Sequence, residues 1–358
     1  MRDMTALFPN VTVGLDLGDK LSTICEVDVA GTVVRRTSIA TTPAGMRQHF
    51  EGRERCRVVL EVGTHSPWVS RQLQALGHEV IVANPSLMYG RGHRRKRNDR
   101  LDGEFLAEFL ARQGRADPKL LFPLQHRGEE AQQHLAILRA RDQLVAVRRK
   151  LINHVRGAVK SLGGRVRRCG ADAFAQRAPA DLPDSLRPAL GPLIETIARL
   201  TQQIRGFDKD LERLVQERYP EAQHLQQIAG VGVLISLGFV LLVEDPHRFT
   251  RSRDVGAFFG LVPRLDESSA DKPQLRITKA GDELGRRLLV NAAHYILGRF
   301  GPECDLRRHG EAIARRGGKN AKKRAAVAVA RKLAVLLHRL WVTEALYDPD
   351  YSQRRRAA

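Results

Sequence analysis

Three short apolar runs, each leading toward an acid, constrain this chain more than any other feature. Val11, Val13 and Leu15 alternate with small or polar residues, the period-two signature of a half-buried strand, and the run ends on Asp16-Leu17-Gly18. Arg57-Val58-Val59-Leu60-Glu61 is a second strand-like run, and it ends on a carboxylate. Glu79-Val80-Ile81-Val82-Ala83 is a third, and it leads into the segment that carries Asp99 and Asp102. Acids at the ends of neighbouring strands, completed by acids on a following helix, form the oxygen-rich donor set that a hard divalent cation takes.

The stretches between these runs set the topology. Leu21–Val29 and Thr32–Ala40 flank the turn signal Ala30-Gly31, so the first three strands are predicted to form an antiparallel meander. Helices over Pro43–Phe50 and Pro67–Leu76 then alternate with the second and third acidic runs. A meander followed by alternating helix and strand predicts a mixed α/β sheet, in the order of a ribonuclease H-like domain. Leu101, Phe105, Leu106, Phe109 and Leu110 space out an amphipathic helix, with Asp99 and Asp102 at its start and on one face. Ordinary helix capping would also place acids there. Asp16 and Glu61 upstream favour the cation site.

Beyond this region the pattern turns helical. Leu138, Val145, Ile152 and Val159 recur every seventh residue in a helix predicted over Glu129–Leu162. After a Gly/Pro-rich interval, Leu193, Ile197, Leu200, Ile204, Phe207, Leu211 and Leu214 alternate steps of four and three, a heptad seam. Together these predict a coiled-coil hairpin suited to a homo-oligomer, dimer or tetramer, although each stripe could equally pack within its own domain. Ile228-Ala229-Gly230-Val231-Gly232 opens an apolar helix and could present N–H groups to phosphate, as helix-hairpin-helix modules do, or be an ordinary turn. A polar loop at Pro263–Pro273 holds Ser268 and Ser269; serines in such loops usually make turns. The expected domains are 1–126, a hairpin over 127–219, a mostly α-helical C-terminal domain over 220–345, and a basic tail over 346–358.

Charge narrows the partners. A formal net charge of +20 favours a polyanion, because each neutralised phosphate releases counterions, although basicity can also serve solubility. Candidate phosphate contacts are Arg94, Arg95, Lys96 and Arg97 in the block before Asp99, Arg276 and Lys279 after the serine loop, and Lys319, Lys322 and Lys323 near the C-terminus. No basic-then-apolar leader opens the chain, and the longest apolar run, Val231–Val243, is shorter than the roughly 20 residues that cross a bilayer. Cys25, Cys56, Cys169 and Cys304 are scattered without a C-x-x-C pair, which excludes a zinc ribbon and argues against a disulfide framework. A soluble cytoplasmic protein is expected.

Read together, Gly14-Leu15-Asp16, Glu61-Val62-Gly63-Thr64-His65-Ser66-Pro67-Trp68, Lys96-Arg97-Asn98-Asp99-Arg100-Leu101-Asp102, Gly260-Leu261-Val262-Pro263-Arg264 and Arg276-Ile277-Thr278-Lys279-Ala280-Gly281 resemble the DEDD transposases of the IS110 insertion-sequence family, relatives of the Piv invertases. The motifs arrive in the family's order across nearly the whole chain. The resemblance implies a RuvC-like N-terminal domain, a coiled coil and a C-terminal transposase domain. It implies an acidic tetrad of Asp16, Glu61, Asp99 and Asp102 holding Mg²⁺ or Mn²⁺, and Ser268 as a nucleophile that joins covalently to DNA. It also implies double-stranded donor and target DNA, a structured bridge RNA as guide, and association with the nucleoid.

The chain departs from the family pattern at three points. Ser269 stands where glycine commonly follows the serine, Val62-Gly63-Thr64 replaces Ala-Thr-Gly after the glutamate, and Gly103 replaces an alanine. Rival readings are a RuvC-like nuclease that hydrolyses branched DNA, a Piv-like protein-only invertase, and an architectural nucleic-acid binder. An actin-like kinase is a further rival, because Val13–Gly18 resembles that superfamily's first phosphate loop, but no second such loop follows.

Overall fold

The computed structural model describes residues 11–84, 99–264 and 275–357, with side chains except those of 99–105, 118 and 356–357. The chain divides into two compact units, 1–128 and 129–358.

The first unit is built on a five-stranded sheet of strands β1 (Thr12–Leu17), β2 (Leu21–Val27), β3 (Val33–Ala40), β4 (Arg57–Glu61) and β5 (Glu79–Ala83). Its order is β3-β2-β1-β4-β5: β2 runs antiparallel to β1 and β3, while β1, β4 and β5 are mutually parallel. Alternation along the strands separates two cores. Val13, Leu15, Val58, Leu60 and Val82 face helices α1 (Pro43–Phe50) and α2 (Ser66–Ala75), burying Met46, Phe50, Val69 and Leu73. On the other face Cys25, Val27, Val59, Ile81 and Ala83 pack under helix α3 (Asp99–Ala116) through Ala107, Leu110 and Ala111. Local signals set the helix starts: Thr42 Oγ1 accepts the Gly45 N–H at 3.1 Å ahead of Pro43, and Pro67 occupies the first turn of α2.

The second unit is helical. Helices α4 (Glu129–Ser161) and α5 (Arg187–Arg218) run antiparallel, as Arg141–Asp208 at 2.8 Å, Arg148 Nη1 to Thr201 Oγ1 at 3.1 Å and the Arg218–Glu130 pair show. At one end of the pair, Ile152, Val155 and Val159 meet Leu190, Ile194 and Ile197 around Phe174. At the other, Ala131, Leu135, Leu138, Leu211 and Val215 join the main core of the unit. Helix α5 begins well before the heptad seam suggests, because Pro188 sits in its first turn, where a missing N–H costs nothing.

Next come α6 (Pro220–Leu225) and α7 (Val233–Val243). The apolar helix expected to open at Ile228 starts at Val233 instead, because Gly230 turns the chain at φ +90° and Gly232 is extended as N-cap. Its residues from Ser236 to Val243 are buried, which is why the segment is apolar all round. Helices α8 (Glu283–Ile296), α9 (Asp305–Arg315) and α10 (Ala321–Thr343) close the core through Leu289, Ala293, Leu306 and the face Val329, Ala330, Leu333 and Ala334. The basic tail is tied down: in α11 (Tyr351–Ala357) the Ser352 N–H reaches Asp305 Oδ2 at 2.6 Å, and Arg339 lies over the Tyr351 ring. Among the described residues no helix is long and apolar enough to cross a membrane.

Candidate active site

The parallel pairing of β1 with β4 brings two of the predicted acids to one end of the sheet. Leu15 pairs with Leu60, so the next residue on each strand is an acid, Asp16 and Glu61. Both are partly exposed, at the edge where the buried strand interiors give way to solvent. Parallel pairing is what makes this arrangement, since antiparallel strands would send the two acids to opposite ends.

Helix α3 crosses the sheet so that its N-terminus heads for the same end. A Cβ on Gly14 would fall 1.7 Å from the Ala107 carbonyl oxygen, and one on Gly114 would fall 2.3 Å from Val59 Cγ2. The two glycines therefore let helix backbone lie almost directly on strand. The C-terminal part of the helix is held down by Arg57, whose Nη1 donates to Gly114 O at 3.0 Å and whose Nη2 lies 3.0 Å from Glu79. From Gly114 to Ala107 the helix passes from the level of Arg57 and Thr12 to that of Gly14, so it runs antiparallel to β1. Asp102 lies five residues before Ala107, about 7.5 Å along the helix. Asp16 lies two residues past Gly14, about 6.6 Å along the strand. The first turn of α3 is thus level with Asp16. The side chains of Asp99 and Asp102 lie outside the described residues, and among those described no group of three or more acids, histidines or cysteines gathers as a metal site.

The loop after Glu61 is locked by contacts that its sequence motif does not reveal. Ser66 is fully buried; its Oγ accepts the Gly63 N–H at 2.9 Å and lies 2.8 Å from both Gly63 O and His126 Nε2. Burial, then Arg71 and Arg127, hold His126 below the ordinary histidine pKa, so it serves this contact as a neutral ring. The Trp68 indole N–H donates to His65 Nδ1 at 3.1 Å, which leaves the proton on Nε2, 3.8 Å from the Asp19 carboxylate. The Ser66-Pro67 helix start was legible in the sequence; that His126 returns to it from sixty residues away was not.

Ser268 and Ser269 lie outside the described residues, as do Arg94, Arg95, Lys96 and Arg97. The flanks of the serine segment are described. Arg264 N donates to Arg276 O and Thr278 N to Val262 O, both at 2.9 Å, forming a short two-stranded neck. Gly260 (φ +64°) and Gly281 close the neck's base, since a Cβ on Gly281 would sit 1.8 Å from Phe258 O. Arg276 and Lys279 are exposed on this neck, and Lys319, Lys322 and Lys323 are exposed around the start of α10. Among the described residues none of the five has a carboxylate partner.

Family comparison draws these features together. Residues 13–163 match a transposase family model of the DEDD type, and residues 222–308 match the model described as the transposase IS116/IS110/IS902 family. The chain belongs to the IS110 family of transposases. It is thus similar to enzymes that cut and rejoin DNA over both units, not the sheet alone. The transposase is 28% identical over 350 residues to a Coxiella burnetii protein named transposase for insertion sequence element IS1111A, covering 94% of this chain and 90% of the relative. It is 27% identical to a probable family 20 transposase of Pseudomonas aeruginosa, covering 94% and 98%. With the transposase for insertion sequence element IS1328 of Yersinia enterocolitica it shares 28% identity over 82% of this chain and 86% of the relative.

Proposed function

We propose that the transposase breaks and rejoins DNA with Ser268 as nucleophile, and with Asp16, Glu61, Asp99 and Asp102 as ligands of Mg²⁺ or Mn²⁺ in a RuvC-like sheet domain. The observation that carries this reading is the shared end of the sheet: Asp16 and Glu61 each follow the last register pair, Leu15 with Leu60, of adjacent parallel strands, and the first turn of α3 comes to the same level. Carboxylates gathered there repel one another unless a cation neutralises them, and an all-oxygen donor set suits a hard divalent ion. Bound at that end, the ion supplies electrophilic polarisation of the scissile phosphate.

The chain's own residues do the rest. Ser268 Oγ forms a bond to phosphorus while a deoxyribose oxygen leaves and takes up the proton that the hydroxyl gives up. Attack by the hydroxyl of another strand reverses the step and frees the serine. The pinned neck at 262–264 and 276–278 supports such a role by limiting where the ends of the serine segment can go. Exposed Lys319, Lys322 and Lys323 suit sequence-blind phosphate contacts, which fit an enzyme whose sites are chosen by a structured guide RNA on donor and target duplexes. The antiparallel pair α4/α5 is the element we assign to self-association.

The test is trapping. With a duplex nicked so that rejoining is blocked, wild-type protein and Mg²⁺ should give a protein–DNA adduct that survives denaturing gels. Ser268→Ala and Asp16→Ala should give none, and Ser269→Ala should retain it. Cleavage without any adduct would move the reading to a hydrolytic RuvC-like nuclease. RNA recovered with the purified protein should be one defined structured species; random cellular RNA would count against the guide.

A further inference from the structure

The turn after α8 shows an apolar ring to solvent in a way that packing does not require. Phe300 is 69% exposed, and the guanidinium of the adjacent Arg299 lies 4.3 Å from its ring centroid. Among the described residues Arg299 makes no ion pair. Tyr295, in the last turn of α8, is also 45% exposed; its ring lies against Gly230, where a Cβ would come within 2.7 Å of Tyr295 Cδ1.

This turn is held rigid from beneath. Arg307 Nη1 donates to three of its carbonyls, Ile296 O at 3.1 Å, Gly298 O at 2.8 Å and Gly301 O at 2.9 Å. Gly301 makes the bend possible, since a Cβ there would sit 2.1 Å from Ile296 O. The nearby acids Glu303 and Glu311 pair with Arg307, at 3.1 and 2.9 Å, and so do not cancel Arg299. A chain that spends a partly buried arginine on the backbone of one turn, and then leaves that turn's phenylalanine in water, has built a preorganised display.

We propose that Phe300, flanked by Arg299, is a stacking platform for an unpaired DNA base. An aromatic face beside a planar guanidinium matches the two surfaces of a nucleotide, the π-face of the base and the anionic phosphate. The occupant is DNA because this is a DNA-rejoining enzyme, and exchanging strands requires bases to leave their duplex. Nothing in the proposal depends on Ser268 or on the acidic tetrad, so binding without added metal tests it separately from the catalytic reading.

The experiment is equilibrium binding of the full-length protein to a dT oligomer of about 16 nucleotides and, in parallel, to duplex DNA and a U oligomer. Phe300→Ala should weaken dT binding roughly 5- to 150-fold, the loss of one base stack, with duplex affinity unchanged. Phe300→Trp should retain affinity and Phe300→Leu should not, which separates stacking from greasiness. Arg299→Gln should lower the salt slope of dT binding by about 0.7. Because the ring is exposed, each variant should melt as wild type does. Equal dT affinity for wild type and Phe300→Ala would overturn the proposal, and so would a loss confined to the U oligomer.

Discussion

At the scale of single residues, the most consequential side chain outside the site is Glu26. It is 4% exposed near the end of β2, yet it is charged, because Arg53 donates to both its oxygens at 3.1 and 2.8 Å and His49 lies 3.6 Å away. His49 and then Arg53 outweigh burial and bring its pKa from an ordinary 4.5 down to about 2. A depressed folded pKa means that the pair's stabilisation is complete above pH 4.5 and is lost as pH falls through 2. Glu26→Gln should therefore cost about 2 kcal/mol at neutral pH, since it leaves a part-buried guanidinium without its counter-charge. The gap between the two proteins in urea denaturation should narrow steadily between pH 4.5 and pH 3. A gap that stays constant over that range would mean that the cost is packing rather than charge.

At the scale of elements, the site depends on how closely α3 can lie on the sheet, and two glycines decide it by different means. Gly14 faces helix backbone, the Ala107 carbonyl oxygen, whereas Gly114 faces a side chain, Val59 Cγ2. Gly14→Ala should push the helix off β1, destabilise the first unit by about 3 kcal/mol and abolish cleavage without touching an acid; Ala107→Gly should not rescue it, because the clash is with backbone. Gly114→Ala should be milder, and Val59→Ala should recover part of its lost thermal stability in a double-mutant cycle. Failure of that rescue would show that the Gly114 contact is not what sets the helix's distance. This difference was not legible in the sequence. The strand carrying Asp16, the strand ending at Glu61 and the helix carrying Asp99 and Asp102 were, because period-two and period-3.6 patterns read out directly. Which glycine meets backbone, and that His126 comes back to Ser66, depend on contacts between residues far apart in the chain. The start of α7 departs from the apolar pattern for a local reason, since Gly230 takes a positive φ that interrupts an otherwise continuous apolar run.

At the scale of the whole molecule, the net charge of +20 overstates the surface offered to nucleic acid. Arg53, Arg57, Arg148 and Arg307 are held in part-buried ion pairs and hydrogen bonds, where they stabilise the two units and have no phosphate to neutralise. Exposed lysines without carboxylate partners are different, and Lys319, Lys322 and Lys323 concentrate them within one turn and the start of α10. Counterion release turns this distinction into a number. Each lysine on a phosphate contributes about 0.9 to the slope of log affinity against log salt on duplex DNA. Replacing all three with glutamine should therefore flatten the slope by about 2 to 3 and weaken binding at low salt far more than at high salt. Arg213→Gln is the matched control, because Arg213 is exposed but already pairs with Asp210 at 2.9 Å, so its loss should leave the slope unchanged. If the triple variant kept the wild-type slope, these lysines would be a solubility device, and the contacts that hold DNA would have to lie among the other exposed basic residues, with Arg276 and Lys279 on the serine-loop neck the next to replace.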